Sequence, residues 1–215
     1  MQKPNGYDEA LTEGNMKEKI TLGGHHLIIK QVSEMMSKGN PEKGIEPKPM
    51  IVVLFDFAQN DSQAGLLMKE FKNDDRVDKK WPFRGSQYIM VQDFQDPSKT
   101  SRQYKTFCTC FEQSNGVKIN WVEDSAAWAN QFKNKKIGGA FGVVHDVYQG
   151  RETVKTELRW FISDNKVEAC EVPMEKLLSE NKKKELAGAD NTAAPIAGDA
   201  GFVNIPDDLG DLPFN

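Results

Sequence analysis

Residues 49–57 read PMIVVLFDF. β-Branched and aromatic side chains follow one another here without a polar alternation, so both faces of the segment are apolar, as in a strand at the centre of a sheet. Upstream, HHLIIKQVSE (25–34) alternates apolar and polar residues and reads as a half-buried strand. The intervening MMSKGNPEKGIEPK is a Gly/Pro-rich hairpin connection, too long for a tight turn. Downstream, GLLMKEFK (65–72) is read as a third strand.

Towards the other end, KIGGAFGVVHDVYQG (136–150) and TVKTELRWFISDNK (153–166) form a second predicted hairpin turning at Gly150, with Gly138, Gly139 and Gly142 marking bulges or strong curvature. Two helices are predicted between the hairpins. In RQYKTFCTCFEQ, Tyr104, Phe107, Cys108 and Phe111 recur at helical spacing and make one apolar stripe. EDSAAWANQF (123–132) starts with Asp124 or Ser125 as N-cap and sets Ala127, Trp128 and Phe132 on one side. A short helix from Pro173 to Leu186 should turn Met174, Leu177 and Leu178 towards the body. The order suggests a mainly β fold with helical insertions, an oligonucleotide-binding (OB)-like antiparallel barrel.

At 215 residues with 38% hydrophobic content, four Trp and twelve Phe, the chain can bury a proper core. It contains no apolar run of about 18 residues that could span a bilayer, and its N-terminus lacks the apolar stretch of a secretory signal. With three cysteines, an odd number, a cytoplasmic location and no disulfide framework are expected. From Ala187 onward there are five aspartates and no Lys or Arg; setting them aside moves the net charge from −4 to near +1 for the rest. The division is therefore a body, 1–186, and a flexible acidic tail, 187–215. A near-neutral body leaves a polyanion as an admissible partner.

Few residues suggest catalysis or a metal. Cys108 and Cys110 project about 200° apart on a helix and cannot share one ion, so core packing is the simpler role for Cys108. His25 and His26, adjacent on a strand, face opposite sides, and His145 stands alone. Asp56, Asp93 and Asp96 form no recognisable nuclease set, and GGAFG lacks the Lys-Ser/Thr of a phosphate loop. No catalytic residue, metal ligand or cofactor is expected. The stretch KEFKNDDRVDKKWPFRGSQY (69–88) interleaves cations with flat side chains, the combination that tracks phosphates and stacks on unpaired bases. The alternative is a surface loop with its aromatics tucked into the core, and its four acids bring that alternative nearly level on composition. A second basic group, Arg151, Lys155 and Arg159, lies on the last hairpin; Lys155 and Arg159 share a face, and Trp160 is either core or surface.

The closing NIPDDLGDLPFN sets Leu209, Leu212 and Phe214 among aspartates in a run too short to bury itself. This tip resembles the acidic C-terminal tip, ending in Asp-X-Pro-Phe, of bacterial and phage single-stranded DNA-binding proteins, with Asn215 as an additional residue beyond the ring. The order NGYDEA, GGHHLIIKQV, PMIVVLFDF, KKWPFRG, RQYKTFCTCFEQSN, KKIGGAFG and TELRWF also resembles a family of phage-encoded single-stranded DNA-binding proteins, over about 25–172. The resemblance implies an OB-like fold, sequence-nonspecific binding of single-stranded DNA during phage replication or recombination in a bacterial host, and recruitment of partner enzymes through the tip. Partner binding falls to Asp207, Asp208, Asp211, Leu212, Pro213 and Phe214. The residues themselves nominate Lys69, Phe71, Lys72, Lys80, Trp81, Arg84, Tyr88, Lys155 and Arg159 as DNA contacts. Two alternatives stand: a protein-interaction barrel without DNA binding, and a metal-dependent nuclease. Site size and oligomeric state, a dimer included, are left open by the sequence.

Overall fold

The computed structural model describes residues 18–39, 44 and 46–189. Five strands form one antiparallel sheet: β1 (Gly23–Met36), β2 (Pro49–Phe57), β3 (Ser86–Met90), β4 (Lys136–Tyr148) and β5 (Arg151–Ile162), in the order β3-β2-β1-β4-β5. The all-apolar run is indeed internal: β2 lies between β1 and β3, and Met50 to Phe57 are buried without a break. β1 serves two partners. Its first half, Gly23–Ile28, pairs with β4 and the longer remainder, from Leu27, pairs with β2, with a register shift between Ile29 and Gln31 that bends the strand from one partner to the other. The chain thus runs β1-β2-β3 as a meander and returns through helices to lay β4 beside β1, which is Greek-key order.

The segment 65–72 is a helix, α1 (Leu66–Lys72), where a strand was expected. The cause is Asp56 on β2, whose buried carboxylate accepts the amide N–H groups of Leu67 (3.0 Å) and Met68 (3.3 Å) and occupies donors that a first helical turn leaves unpaired. Leu66, Leu67 and Phe71 then face the core. The third strand lies instead at SQYIM, which begins within the last residues of the basic and aromatic stretch 69–88 and runs beyond it.

The β4–β5 hairpin turns at Gln149 and Gly150, both at positive φ (51° and 72°), as a two-residue connection of this hand requires. The glycine-rich part of β4 carries a register shift between Ala140 and Phe141. Close approach explains Gly24: a Cβ there would lie 2.3 Å from the Val167 carbonyl oxygen, just after the 3-10 turn Asp164–Lys166.

α2 (Arg102–Asn115) and α3 (Ser125–Asn130) form where predicted. Ser101 caps α2 through Tyr104 N–H, and Asp124 caps α3 through the amides of Ala126 and Ala127. Their rings plug the inner face of the sheet: Phe111 meets Phe132 at 4.6 Å between centroids, and Phe107 meets Phe161 of β5 at 5.3 Å. Trp128 and Phe132 are buried, whereas Ala127 is exposed.

The predicted helix from Pro173 is replaced by an extended strap. Lys176 donates its N–H to Val143 O and accepts from His145 N–H, both at 2.9 Å, so the strap takes the edge of β4 that β1 leaves free. Met174 (89% exposed) and Leu177 turn to solvent, and the helix, α4, begins only at Glu180 and runs to Ala189. Among the described residues no ladder joins β3 to β5, so the sheet is not closed, and no helix is long and apolar enough to cross a membrane.

Candidate nucleic-acid interface

Two of the nominated stacking residues are core. Phe71 is 7% exposed and Trp81 6%, their rings packed 5.7 Å apart, and the Trp81 indole N–H donates to Gly85 O. Neither ring can stack on a base, because the α1 face that carries Phe71 is needed to cover the sheet. Lys69, Lys72 and Lys80 are exposed on α1 and the segment after it. Arg84 is held: its Nε donates to Glu70 (2.8 Å) and its Nη1 to Glu18 O (2.6 Å).

The two cations of β5 are also engaged. Lys155 pairs with Glu157 (2.8 Å) and Asp146 (3.5 Å); burial opposes its charge, but these carboxylates hold its pKa above the ordinary lysine value. Arg159 sits at the bulge, donates to Met174 O at 2.8 Å and lies 5.9 Å from the Trp160 ring. Lys155 is thus paired within the β4–β5 hairpin, and Arg159 ties β5 to the strap. The structure does not gather all nine nominated residues into one trough.

It does bring β3 and β5 together. A cleft of about 210 Å³ between these edges is lined by Phe83, Arg84, Ser86, Gln87 and Tyr88 on one wall and Glu157 and Leu158 on the other. Phe83, 54% exposed, is stacked on Tyr88 at 6.4 Å and 28°. Register places Tyr88 beside Val52, and Val52 beside Ser33, so the pair sits on a sheet face floored by Val52 and its neighbours. Burial raises the Tyr88 phenol pKa above its usual value, so it stays a neutral hydrogen-bonding ring. Phe83 was within the quoted stretch but not nominated; its place directly before β3 was hidden because the strand itself went unrecognised. Trp160 is 46% exposed, which settles its alternative.

A second, larger cleft of about 420 Å³ opens between β1 and α3, lined among others by Lys30, Gln31, Glu34, Asn130 and Lys133. The buried Gln31 Oε1 has no hydrogen-bond partner. No spacing in the sequence pointed to this cleft, since its walls are about 100 residues apart.

Each histidine meets a carboxylate distant in sequence. His25, buried against Phe57 and Phe141, reaches Asp61 (3.1 Å) and Thr21. His26 bonds Asp164 (2.7 Å) and Glu168 (3.2 Å), and His145 bonds Glu152 and Glu175, each at 2.5 Å. Among the described residues no three His, Cys, Asp or Glu side chains are disposed to hold a metal ion. Asp56 is taken up by α1, so the nuclease alternative finds no carboxylate cluster there. Cys108 and Cys110 are buried, and burial pushes the Cys108 thiol up to about 11. The tip, Asp207 to Phe214, lies outside the described residues.

No known protein family matches the chain, and no curated protein matches it.

Proposed function

We propose that the chain binds single-stranded DNA without sequence preference, in phage replication or recombination, on an OB-like sheet whose β3–β5 seam is open, and that its acidic tip recruits partner enzymes. The observation that carries the reading is the stacked Phe83–Tyr88 pair at the edge of a Greek-key sheet, Phe83 exposed and Tyr88 half-buried beneath it. The OB fold is a five-stranded, partly open Greek-key barrel that binds oligonucleotides on its strand 2–3 face, and Tyr88 lies on that part of this sheet. A flat ring pair accepts any base, at about 1–3 kcal/mol per stacked base. Lys69, Lys72 and Lys80 supply cations for phosphates close in the chain to the rings, and Arg84 joins them by exchanging Glu70 for phosphate. Phe71 and Trp81 shape this wall from beneath.

The neutralisation of Arg84 and Lys155 by carboxylates favours the second reading, a protein-interaction sheet without DNA binding. Titration of oligo(dT) of about 20–40 nucleotides, followed by Trp fluorescence at low salt, separates the two. Trp160 and Trp121 are exposed enough to report it. Quenching that weakens steeply as salt rises supports the DNA reading; an unchanged signal at low salt overturns it.

A further inference from the structure

The edge strand β5 offers the chain a second copy of itself. Backbone hydrogen bonds reveal which of its groups are unspent. His145 N–H and Val143 C=O both point to the strap, away from β5, so the His145–Val154 and Val143–Thr156 pairs are the non-hydrogen-bonded kind. Glu152, Val154 and Thr156 therefore turn their N–H and C=O groups outward, and among the described residues no backbone partner meets them. Val154, a β-branched residue in mid-strand, is 60% exposed. A long edge of this kind is a template for another strand unless it is blunted, and this one carries neither a proline nor a bulge before Arg159.

We infer that two chains pair β5 to β5, antiparallel, about a two-fold axis through Val154. Charge selects the register. A two-fold perpendicular to the sheet keeps each side chain on its own face, so the strand must be centred on a residue. Centring on Val154 sets Arg151 opposite Glu157 twice, Thr153 opposite Lys155 twice, and Val154 on itself. Centring on Glu152 or Lys155 opposes that residue to its own copy, and centring on Thr153 sets Arg151 against Lys155. Centring on Thr156 matches Lys155 with Glu157 but drives the pairing through the Arg159 bulge and along the cleft facing Tyr88. Only the Val154 register combines matched charge with a regular ladder. Glu157 keeps Lys155 as its in-chain partner and gains Arg151 of the second copy. Pairing of one strand per chain buries a small area, so the dimer is a weak one, of about micromolar dissociation constant.

Sedimentation of the full chain over a concentration series tests this. Arg151→Glu and Glu157→Arg each reverse a pair that occurs twice and should raise the dimer dissociation constant about tenfold or more, with circular dichroism unchanged because Arg151 is exposed and Glu157 lies half-buried at the open seam, outside the apolar core. Combining the two substitutions restores the attraction and should return the dissociation constant towards that of the unaltered chain. A chain that stays monomeric to about 100 µM overturns the inference, as does a dimer indifferent to Arg151→Glu or a double variant no tighter than the singles.

Discussion

At the residue scale, two aromatic side chains seven positions apart have opposite fates, and substitution separates them. Tyr88→Ala removes the half-buried partner of the exposed Phe83 ring; the sheet should survive, and affinity for oligo(dT) should fall about tenfold, the worth of one stacked base. Trp81→Ala empties a buried site and breaks the indole bond to Gly85, so the cost should appear in urea unfolding, at about 3–5 kcal/mol. If Tyr88→Ala binds oligo(dT) as tightly as the unaltered chain, the stacking platform is refuted. Residue type alone could not tell these two rings apart, since Trp, Phe and Tyr serve cores and base stacking equally well; only the pairing of β3 with β2 decides which of them faces out. The histidines illustrate the same limit, because their carboxylate partners come from other parts of the chain. For His26, burial opposes the charge, but the bonds to Asp164 and Glu168 outweigh it and lift the pKa above 6.5. His145 is raised likewise by Glu175 and then Glu152. A raised folded pKa gives stability that is whole below 6.5 and is lost as pH rises through the folded value. The thermal midpoint should therefore drop as pH rises from below 6.5 through the raised folded values, and His26→Gln should reduce that drop; an equal drop in the variant removes His26 as a cause.

At the element scale, α1 is held by a side chain rather than by its own propensity. Asp56 stands on β2 with a buried carboxylate that accepts from Phe57, Leu67 and Met68. Asp56→Ala leaves those buried amides without partners and should cost about 2–4 kcal/mol in urea unfolding, with loss of protection from hydrogen exchange concentrated at 66–72. Uniform loss of protection over the sheet, with α1 unaffected, would count against this anchoring role. The dependence explains why GLLMKEFK was legible as apolar yet not as helix: with Gly65 before it and no capping side chain, its helical start is written 10 residues upstream. Elements with local signals were readable. α2 carries its stripe and Ser101, α3 carries Asp124, and the last hairpin carries Gly150. β3 was not, being five residues long with only Ile89 fully buried. The strap was not either, because what makes Pro173 to Ser179 extended is the vacant edge of β4, not anything in its own spacing.

At the scale of the whole molecule, the mainly β class follows from patterns within segments, whereas openness of the sheet depends on how two distant edges, β3 and β5, meet, and no segment encodes that alone. Charge is also a whole-chain property. The net −4 divides into a body near +1 and a tail with five aspartates, three of them in the last nine residues. On the proposed reading, tip and DNA are both anions that suit the same cations, so the tip can only compete with the strand and never help to hold it. Deleting 207–215 should accordingly leave affinity for oligo(dT) unchanged or raise it, and any gain should be largest at low salt. Screening sets that order: the Debye length shortens from about 30 Å at 0.01 M salt to about 8 Å at 0.15 M, so a tethered tip loses its reach over the body while direct phosphate contacts weaken more gradually. The measurement is a salt series on the full and the shortened chain, compared as slopes of log affinity against log salt. Parallel slopes with equal affinities mean that the tip never visits the cations; a shortened chain that binds tighter at low salt and converges with the full chain at high salt means that it does. A large loss of affinity on shortening would instead make the tip part of the DNA site, which an aspartate-rich segment cannot be by charge, and would remove the proposed division of labour between sheet and tail.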